Sequence, residues 1–196
     1  MKKALLIVDV QNDFCPGGAL AVPAGNEVVE PLNKLAEYAK ANGWLIFASR
    51  DWHPSATTHF KLYGGIWPEH CVQNTEGSAF HRGLDIKDAV IISKGVRPDE
   101  DGYSPFDGHT DSGESFEQVL ATFGVTELYI GGLATDYCVK AAVLDAAKKG
   151  FKVFLLFDAC RAVNVNRDDG EKAVDEMVGA GAMLTNTQGV LHGLHN

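Results

Sequence analysis

Short, continuously apolar runs recur along the chain, and segments with the 3.6-residue spacing of an amphipathic helix separate them. The apolar runs predict strands at residues 4–10, 44–49, 89–94, 127–132, 152–158 and, as a last short strand, near 182–186. The helical patterns lie near residues 26–42, 114–123, 136–149 and 168–179. Strands that lack alternating polar positions are typical of sheets covered on both faces. The alternation therefore predicts an α/β fold, a three-layer sandwich in which helices cover both faces of a parallel sheet.

Two segments do not follow this alternation. Residues 51–88 and 95–113 are long, weakly periodic and rich in glycine, proline, histidine and aromatic residues. Long irregular segments in a compact domain often carry function. The chain shows no internal repeat and no linker-like composition, so residues 1–196 are expected to form one domain.

Charge and cysteine content narrow the class of protein. Lys and Arg number 17 against 26 Asp and Glu, and the resulting net charge of −9 argues against nucleic acid and anionic membrane surfaces as partners. No run of about 18 apolar residues predicts a membrane-spanning helix. The apolar part of the N-terminal stretch MKKALLIVDVQND is too short for a secretion signal and indicates the first strand of a cytoplasmic protein. The four cysteines form no C-x-x-C pair and are expected to be reduced thiols.

Three chemically active side chains follow predicted strands. Asp9 ends the first strand, Lys94 ends the strand at 89–94, and Cys138 follows the strand at 127–132. Ligands of open parallel sheets bind outside the carboxyl ends of the strands, so these residues are expected to meet at one edge. Asp9 could serve as a general base or only as a carboxylate that caps a loop. Lys94 taken alone would be a solvated lysine at a strand end, and it is a candidate catalytic residue only because Asp9 and Cys138 are expected beside it.

Cys138 stands in the stretch GGLATDYCV, between a predicted strand and a predicted helix. If Thr135 or Asp136 caps the helix, Cys138 lies in its first turn. The helix dipole and unpaired N–H groups would there lower the pKa of the thiol and could hold an oxyanion. The alternative is a buried, inert cysteine.

A second group of polar residues lies in the first irregular segment. Asp51 and His53 are two residues apart on extended chain, so both side chains can point the same way. His59 and His70 follow in the same segment. Imidazoles with a carboxylate suit zinc, iron or manganese, whereas the alternative is a polar loop without a metal. No such support exists for the remaining histidines, His81, His109, His192 and His195.

Three aromatic residues of the irregular loops are candidate pocket walls. Phe14, Trp67 and Tyr103 are flanked by glycine, proline and polar residues rather than by apolar neighbours. Such residues could bind a flat small molecule at this edge of the sheet.

Five motifs together resemble the nicotinamidases, also called pyrazinamidases, of the isochorismatase-like cysteine hydrolase superfamily. They are DVQNDFCPGGALAV at 9–22, SRDWHP at 49–54, WPEHCVQ at 67–73, SKG at 93–95 and GGLATDYCV at 131–139. The resemblance runs in order from end to end of the chain. It implies a six-stranded parallel sheet, hydrolysis of nicotinamide to nicotinate and ammonia through a cysteine thioester, and a place in NAD salvage.

The resemblance also implies roles for single residues. Cys138 resembles the nucleophile, Asp9 its base and Lys94 the third catalytic residue. The backbone N–H groups of Ala134 and Cys138 would form the oxyanion hole, beside a cis peptide between Leu133 and Ala134. Substrate contacts are expected from Phe14, Trp67, Leu133 and Tyr103.

One divalent metal ion is implied, zinc first, with iron or manganese as alternatives. Asp51, His53 and His70 resemble its ligands, and His59 stands where the fourth ligand varies within the family. The loops at 60–66 and 97–108 match no motif, and the sequence leaves open whether the chain forms a homo-oligomer.

Other functions remain as alternatives. The first is an isochorismatase-like hydrolase that acts on another amide, although isochorismatases use no metal and the Asp-x-His pair argues against them. The second is a non-catalytic metal-binding or ligand-binding protein on the same fold. A dinucleotide-binding protein is set aside, because no G-x-G-x-x-G follows the first strand.

Overall fold

The computed structural model describes residues 2–193. Six strands form a single sheet, and their bounds are β1 Lys2–Val8, β2 Leu45–Asp51, β3 Val90–Lys94, β4 Val125–Leu133, β5 Lys152–Arg161 and β6 Met183–Thr185. The strand order is β3-β2-β1-β4-β5-β6, and each neighbouring pair is parallel. The predicted parallel α/β sheet is confirmed.

Helices cover both faces of the sheet. Their bounds are α1 Val29–Ala41, α2 Phe116–Phe123, α3 Lys140–Lys148, α4 Asp169–Gly179 and α5 Thr187–Leu191. Side chains of β1 alternate between two apolar clusters, because successive residues of a strand point to opposite faces. Leu5 and Ile7 pack with α1 and α5, whereas Leu6 and Val8 pack with α2, α3 and α4. The three-layer arrangement follows from this alternation.

Some predicted bounds differ from the structure. β1 ends at Val8, two residues earlier than predicted, because Asp9 leaves the extended conformation with φ +49°. The predicted helix at 26–42 divides into a 3-10 turn, Gly25–Val28, and α1. The helix predicted at 136–149 begins instead as a π-helical turn, Thr135–Val139, that leads into α3.

The sheet brings the carboxyl ends of its central strands together. Val8 pairs with Ser49 of β2 and with Gly132 of β4, and Asp51 of β2 pairs with Lys94 of β3. Residues that follow these positions therefore meet at one edge. Within residues 2–193, no helix combines the length and apolar character needed to cross a bilayer.

Candidate active site and metal centre

Lys94 is the centre of a buried polar cluster at this edge. Its Nζ lies 2.7 Å from Asp9 Oδ2 and donates to Cys138 Sγ at 3.5 Å. The same ammonium contacts Asp51 Oδ1 and donates to the carbonyl of Gly102 at 2.6 Å. The structure thus brings together the three strand-end residues singled out in the sequence.

Burial and charge act against each other in this cluster. Burial disfavours the charged form of Lys94, but the carboxylates of Asp51 and Asp9 outweigh it and raise the pKa of the ammonium well above its usual value. Burial raises the pKa of Asp9, although Lys94 opposes the shift. For Asp51, burial is outweighed by Lys94, and the pKa lies below its usual value. Lys94 is therefore a permanent cation beside two carboxyl groups.

Cys138 does not have the helix-terminal environment that was predicted. In the described structure the turn at Thr135–Val139 has no side-chain cap, so capping by Thr135 or Asp136 is wrong. Asp136 instead accepts hydrogen bonds from the backbone N–H groups of Val163 and Asn164, at 2.9 and 2.8 Å. Burial raises the pKa of the Cys138 thiol well above its usual value, so the predicted lowering is also wrong. A thiol of this kind needs a base close by.

The chain enters the turn through a cis peptide between Leu133 and Ala134, as the resemblance implies. Ala134 and Cys138 both line a cavity above the Lys94 cluster. The carbonyl of Ala134 accepts from the N–H groups of Tyr137 and Val139, each at 3.1 Å. The side chain of Leu133, expected at the substrate, packs in the apolar core instead and is 1% exposed.

The cavity has aromatic walls. Phe14, Trp67 and Tyr103 all line it, as does Tyr137, which the sequence did not single out. Trp67 Nε1 donates to the hydroxyl of Tyr103 at 2.9 Å, and its ring meets Tyr137 edge-on with centroids 4.9 Å apart. These contacts place aromatic rings around a cavity that Cys138 also lines.

Three buried histidines lie together beside Asp51. One potential ligand atom each of His53, His59 and His70 lies within 4.8 Å of the others. Asp51 Oδ2 is 3.7 Å from His53 Nε2 and 3.9 Å from His70 Nε2. The His59 ring stacks on that of His53, with centroids 4.6 Å apart. All four residues predicted as metal ligands are thus adjacent.

The donor groups fit a divalent metal. His70 Nδ1 donates to the carbonyl of Pro68 at 2.8 Å, which leaves the lone pair of Nε2 free. Both ring nitrogens of His53 are buried without a hydrogen-bond partner among the described residues, and buried polar atoms rarely remain so. Burial lowers the pKa of His70 to about 4 and also lowers that of His59, so both rings are in the neutral form that binds metals.

The other histidines lie apart from this cluster. The groups of potential ligands found in residues 2–193 do not include His81, His109 or His192. His195 lies outside the described residues.

Known proteins with similar sequences and structures agree with this interpretation of the site. Residues 3–189 match the family model described as the isochorismatase domain. The chain belongs to the isochorismatase family.

Members of this family that carry a named activity are similar over nearly the whole chain. The nicotinamidase of Escherichia coli is 42% identical, with 93% of each chain aligned. The structure of the pyrazinamidase of Pyrococcus horikoshii in complex with zinc has a TM-score of 0.86 and 45% identity, covering 95% of this chain and 99% of that one. The structure of PnC1 from L. infantum in complex with nicotinate has a TM-score of 0.83 and 34% identity, covering 95% of this chain and 93% of that one. The family inferred from the five motifs is confirmed.

Other residues of this isochorismatase-family site escaped the sequence analysis. Ser49 Oγ donates to Asp9 Oδ1 at 2.7 Å, and Gln11 exchanges two 2.8 Å hydrogen bonds with the backbone of Asp51. Asp101 Oδ1 accepts from His59 Nδ1 at 2.9 Å. Gln11 directly follows the first predicted strand and could have been found there. Ser49 ends the strand predicted at 44–49 and carries the same strand-end signal, whereas Asp101 lies in an irregular loop and carries no signal of its own.

Proposed function

We propose that the protein is a metal-dependent amidohydrolase that converts nicotinamide, and analogues such as pyrazinamide, to the carboxylic acid and ammonia. The observation that carries the proposal is that Cys138 lines an aromatic cavity, while Lys94 Nζ lies 3.5 Å from its Sγ and 2.7 Å from Asp9. Similarity to nicotinamidases over most of the chain supports the same substrate.

In the first step Asp9 takes the proton of Cys138, and the thiolate attacks the carboxamide carbon. The raised pKa of the thiol makes this base necessary. Lys94 stays protonated, compensates the negative charge of the pair and holds the Asp9 carboxylate in place. The π bond of the carbonyl opens, and its electrons move to the oxygen.

The backbone N–H groups of Ala134 and Cys138 stabilise the resulting oxyanion. As the tetrahedral intermediate collapses, the C–N bond breaks and Asp9 returns its proton to the nitrogen, which leaves as ammonia. The product is a thioester on Cys138. Asp9 then removes a proton from a water molecule that adds to the thioester, the C–S bond breaks, and Cys138 regains a proton.

Phe14, Trp67 and Tyr103 bind the aromatic ring between them. Cys138 and Ala134 also line this cavity, so a flat ring held there can present its carboxamide to the thiol.

Asp51, His53, His59 and His70 would hold one divalent ion, and we propose zinc. Three imidazoles and a carboxylate are donors that zinc prefers, and the zinc complex of the pyrazinamidase relative supports this choice. When bound, the ion supplies a fixed positive charge that polarises a ligand and orients it in the cavity.

We further propose one cysteine hydrolase domain in the cytoplasm, acting in NAD salvage. The family match over residues 3–189 and the single sheet support one domain. The four free cysteines support a reducing compartment.

Ammonia release from nicotinamide by the zinc-loaded protein tests the proposal. Cys138→Ala should keep the fold and lose about a thousandfold or more in kcat, because no other group replaces the nucleophile. Cys15→Ser is the matched control, since Cys15 lies in the loop after β1 and is not part of the cavity wall described here; it should keep its activity.

Near-wild-type turnover by Cys138→Ala would contradict the covalent mechanism. No release by a folded, zinc-loaded wild-type protein would move the substrate to another amide or leave a binding protein.

A further inference from the structure

Residues 98–103, which match no sequence motif, contact three parts of the site in consecutive positions. Asp101 Oδ1 accepts from His59 Nδ1 at 2.9 Å. The carbonyl of Gly102 accepts from Lys94 Nζ at 2.6 Å, and the hydroxyl of Tyr103 accepts from Trp67 Nε1 at 2.9 Å. This short segment therefore joins the histidine cluster, the catalytic lysine and the aromatic wall.

The same segment is also hydrogen-bonded to the two residues that precede His59. The carbonyl of Pro98 accepts from the N–H of Thr58 at 2.8 Å and from the hydroxyls of Thr57 and Thr58 at 3.0 and 3.1 Å. The N–H of His59 in turn donates to the Thr57 hydroxyl at 3.2 Å. Both the backbone and the ring of His59 are thus positioned by residues 98–101.

Gly102 lets this segment pack closely against the backbone at Gly95, directly after β3. It has φ +68°, and a Cβ at this position would meet the backbone nitrogen of Gly95 at 2.4 Å. The atoms that this Cβ would meet belong to the backbone, so the clash could not be relieved by a change of rotamer. Asp101 is held directly beside this contact, although its own side chain is 67% exposed.

The contact between Asp101 and His59 has a specific chemical effect. A neutral imidazole has one N–H and one lone pair, and a carboxylate bound to Nδ1 keeps the proton on that nitrogen. The lone pair of Nε2 is then available to a metal, and a carboxylate partner makes the ring a stronger ligand. His70 receives only a carbonyl partner at Nδ1. Asp101 is not itself one of the four residues proposed to bind the ion.

We propose that Asp101 is a positioning residue for the metal centre, which fixes the His59 ring so that His59 binds the ion through Nε2. The inference rests on the metal site of the proposed function. It assigns to the loop between β3 and α2 a task that the sequence did not indicate.

Zinc affinity, measured at constant pH by competition with a chelator, tests this role without relying on activity. Asp101→Ala should weaken zinc binding about 10- to 100-fold, as loss of an outer partner of a metal-binding histidine usually does. Asp101→Asn keeps an acceptor but not the charge, so it should lose less. The absorption spectrum of the Co²⁺-loaded protein should change in Asp101→Ala, because the histidine is no longer held.

Asp99→Ala is the matched control, because it removes the same charge from the same loop. Asp99 pairs with Arg97 at 3.8 Å, and its side chain is 81% exposed. This variant should bind zinc as the wild type does. Equal affinities of Asp101→Ala and Asp99→Ala would overturn the proposal.

A double-mutant cycle with His59→Ala separates positioning from a general effect on the fold. If Asp101 acts through His59, adding Asp101→Ala to His59→Ala should cause no further loss of zinc affinity. An equal loss in both backgrounds would show that Asp101 only stabilises the loop, and the inference would be wrong.

The wild-type protein distinguishes failure of this inference from failure of the proposed function. Zinc binding without ammonia release would overturn the substrate assignment alone. Ammonia release with no effect of Asp101→Ala on zinc affinity would overturn the inference alone, and a wild-type protein that binds no zinc would overturn the metal centre and the inference together.

Discussion

At the scale of single residues, Asp9 shows how the site depends on its neighbours. Its φ of +49° is left-handed, a conformation that aspartate tolerates better than most residues but that still costs about 1–3 kcal/mol. Its carboxylate is fully buried and lies 2.7 Å from both Ser49 Oγ and Lys94 Nζ. These two contacts orient the carboxylate of the proposed base and hold it in place despite the strained backbone.

Replacing Ser49 with alanine should therefore impair turnover without unfolding the protein. The hydroxyl donates to a buried carboxylate, and hydrogen bonds to charged groups contribute about 1.5–3 kcal/mol. We expect kcat to fall about tenfold or more, since each 1.36 kcal/mol corresponds to about a tenfold change in rate. KM should change little, because Ser49 is not in the cavity wall described here. Steady-state ammonia release measures both constants.

Ser93→Ala is the control for that variant. Ser93 stands on the neighbouring strand, and its hydroxyl accepts from Arg50 Nε at 2.9 Å rather than contacting Asp9. It should keep its kcat. An equal fall in both variants would mean that loss of any sheet hydroxyl disturbs the site, and the specific role of Ser49 would be lost.

The residues that the sequence could predict are those whose position in an element decides their contacts. Asp9, Lys94 and Cys138 lie at or after strand ends, and strand ends of a parallel sheet meet by geometry. Asp101 contacts His59 only because an irregular loop folds back over 42 positions of sequence. The cap predicted for the turn before α3 failed for a similar reason, since Asp136 binds the backbone of a distant loop.

At the scale of elements, the end of β3 packs against the metal centre with no free space. Gly95 directly follows Lys94, has φ +63°, and a Cβ there would meet His53 Cε1 at 2.4 Å. The strand and the histidine loop therefore approach each other as closely as a glycine allows. Only glycine satisfies both the left-handed backbone and this contact.

Gly95→Ala should lower zinc affinity at least about tenfold, because the added methyl group displaces His53, one of the four proposed ligands of the ion. It should also lower the free energy of unfolding by more than the backbone strain alone, about 1–3 kcal/mol. Chelator competition and denaturant unfolding measure the two effects.

Gly113→Ala separates strain from contact in the same loop. Gly113 has φ +86°, but no described atom lies within 4 Å of an added Cβ. This variant should show the strain and keep its zinc affinity. If both variants bound zinc like the wild type, the close packing of Gly95 on His53 would not matter for the metal.

The elements themselves were predictable to different degrees. Long apolar runs gave β4 and β5, because strands buried on both faces contain little else. α5, Thr187–Leu191, was missed since five residues are too few for a helical period to emerge. The π-helical turn was also missed, because a hydrophobic pattern does not distinguish it from the first turn of an α-helix.

At the scale of the whole molecule, two apolar clusters enclose the sheet, and the charged groups of the site are buried at its edge. The buried charges there compensate one another, since the ammonium of Lys94 lies against the carboxyl groups of Asp9 and Asp51. His53 beside them has no comparable partner, because both of its ring nitrogens are without a hydrogen bond in residues 2–193. A bound ion would satisfy one of these nitrogens in the folded state only, so metal binding and folding should be coupled.

Removal of zinc should therefore lower the melting temperature as well as abolish ammonia release. At a free zinc concentration of about 100 times Kd, binding stabilises the folded state by about 2.7 kcal/mol. For proteins of this length each kcal/mol corresponds to about 2–4 °C, so we expect a shift of about 5–10 °C between the chelated and the zinc-loaded protein. His53→Ala should lose the shift, whereas His81→Ala, outside the ligand cluster, should keep it. An equal shift in His53→Ala would place the stabilising zinc elsewhere in the molecule and contradict the centre formed by Asp51 and the three histidines.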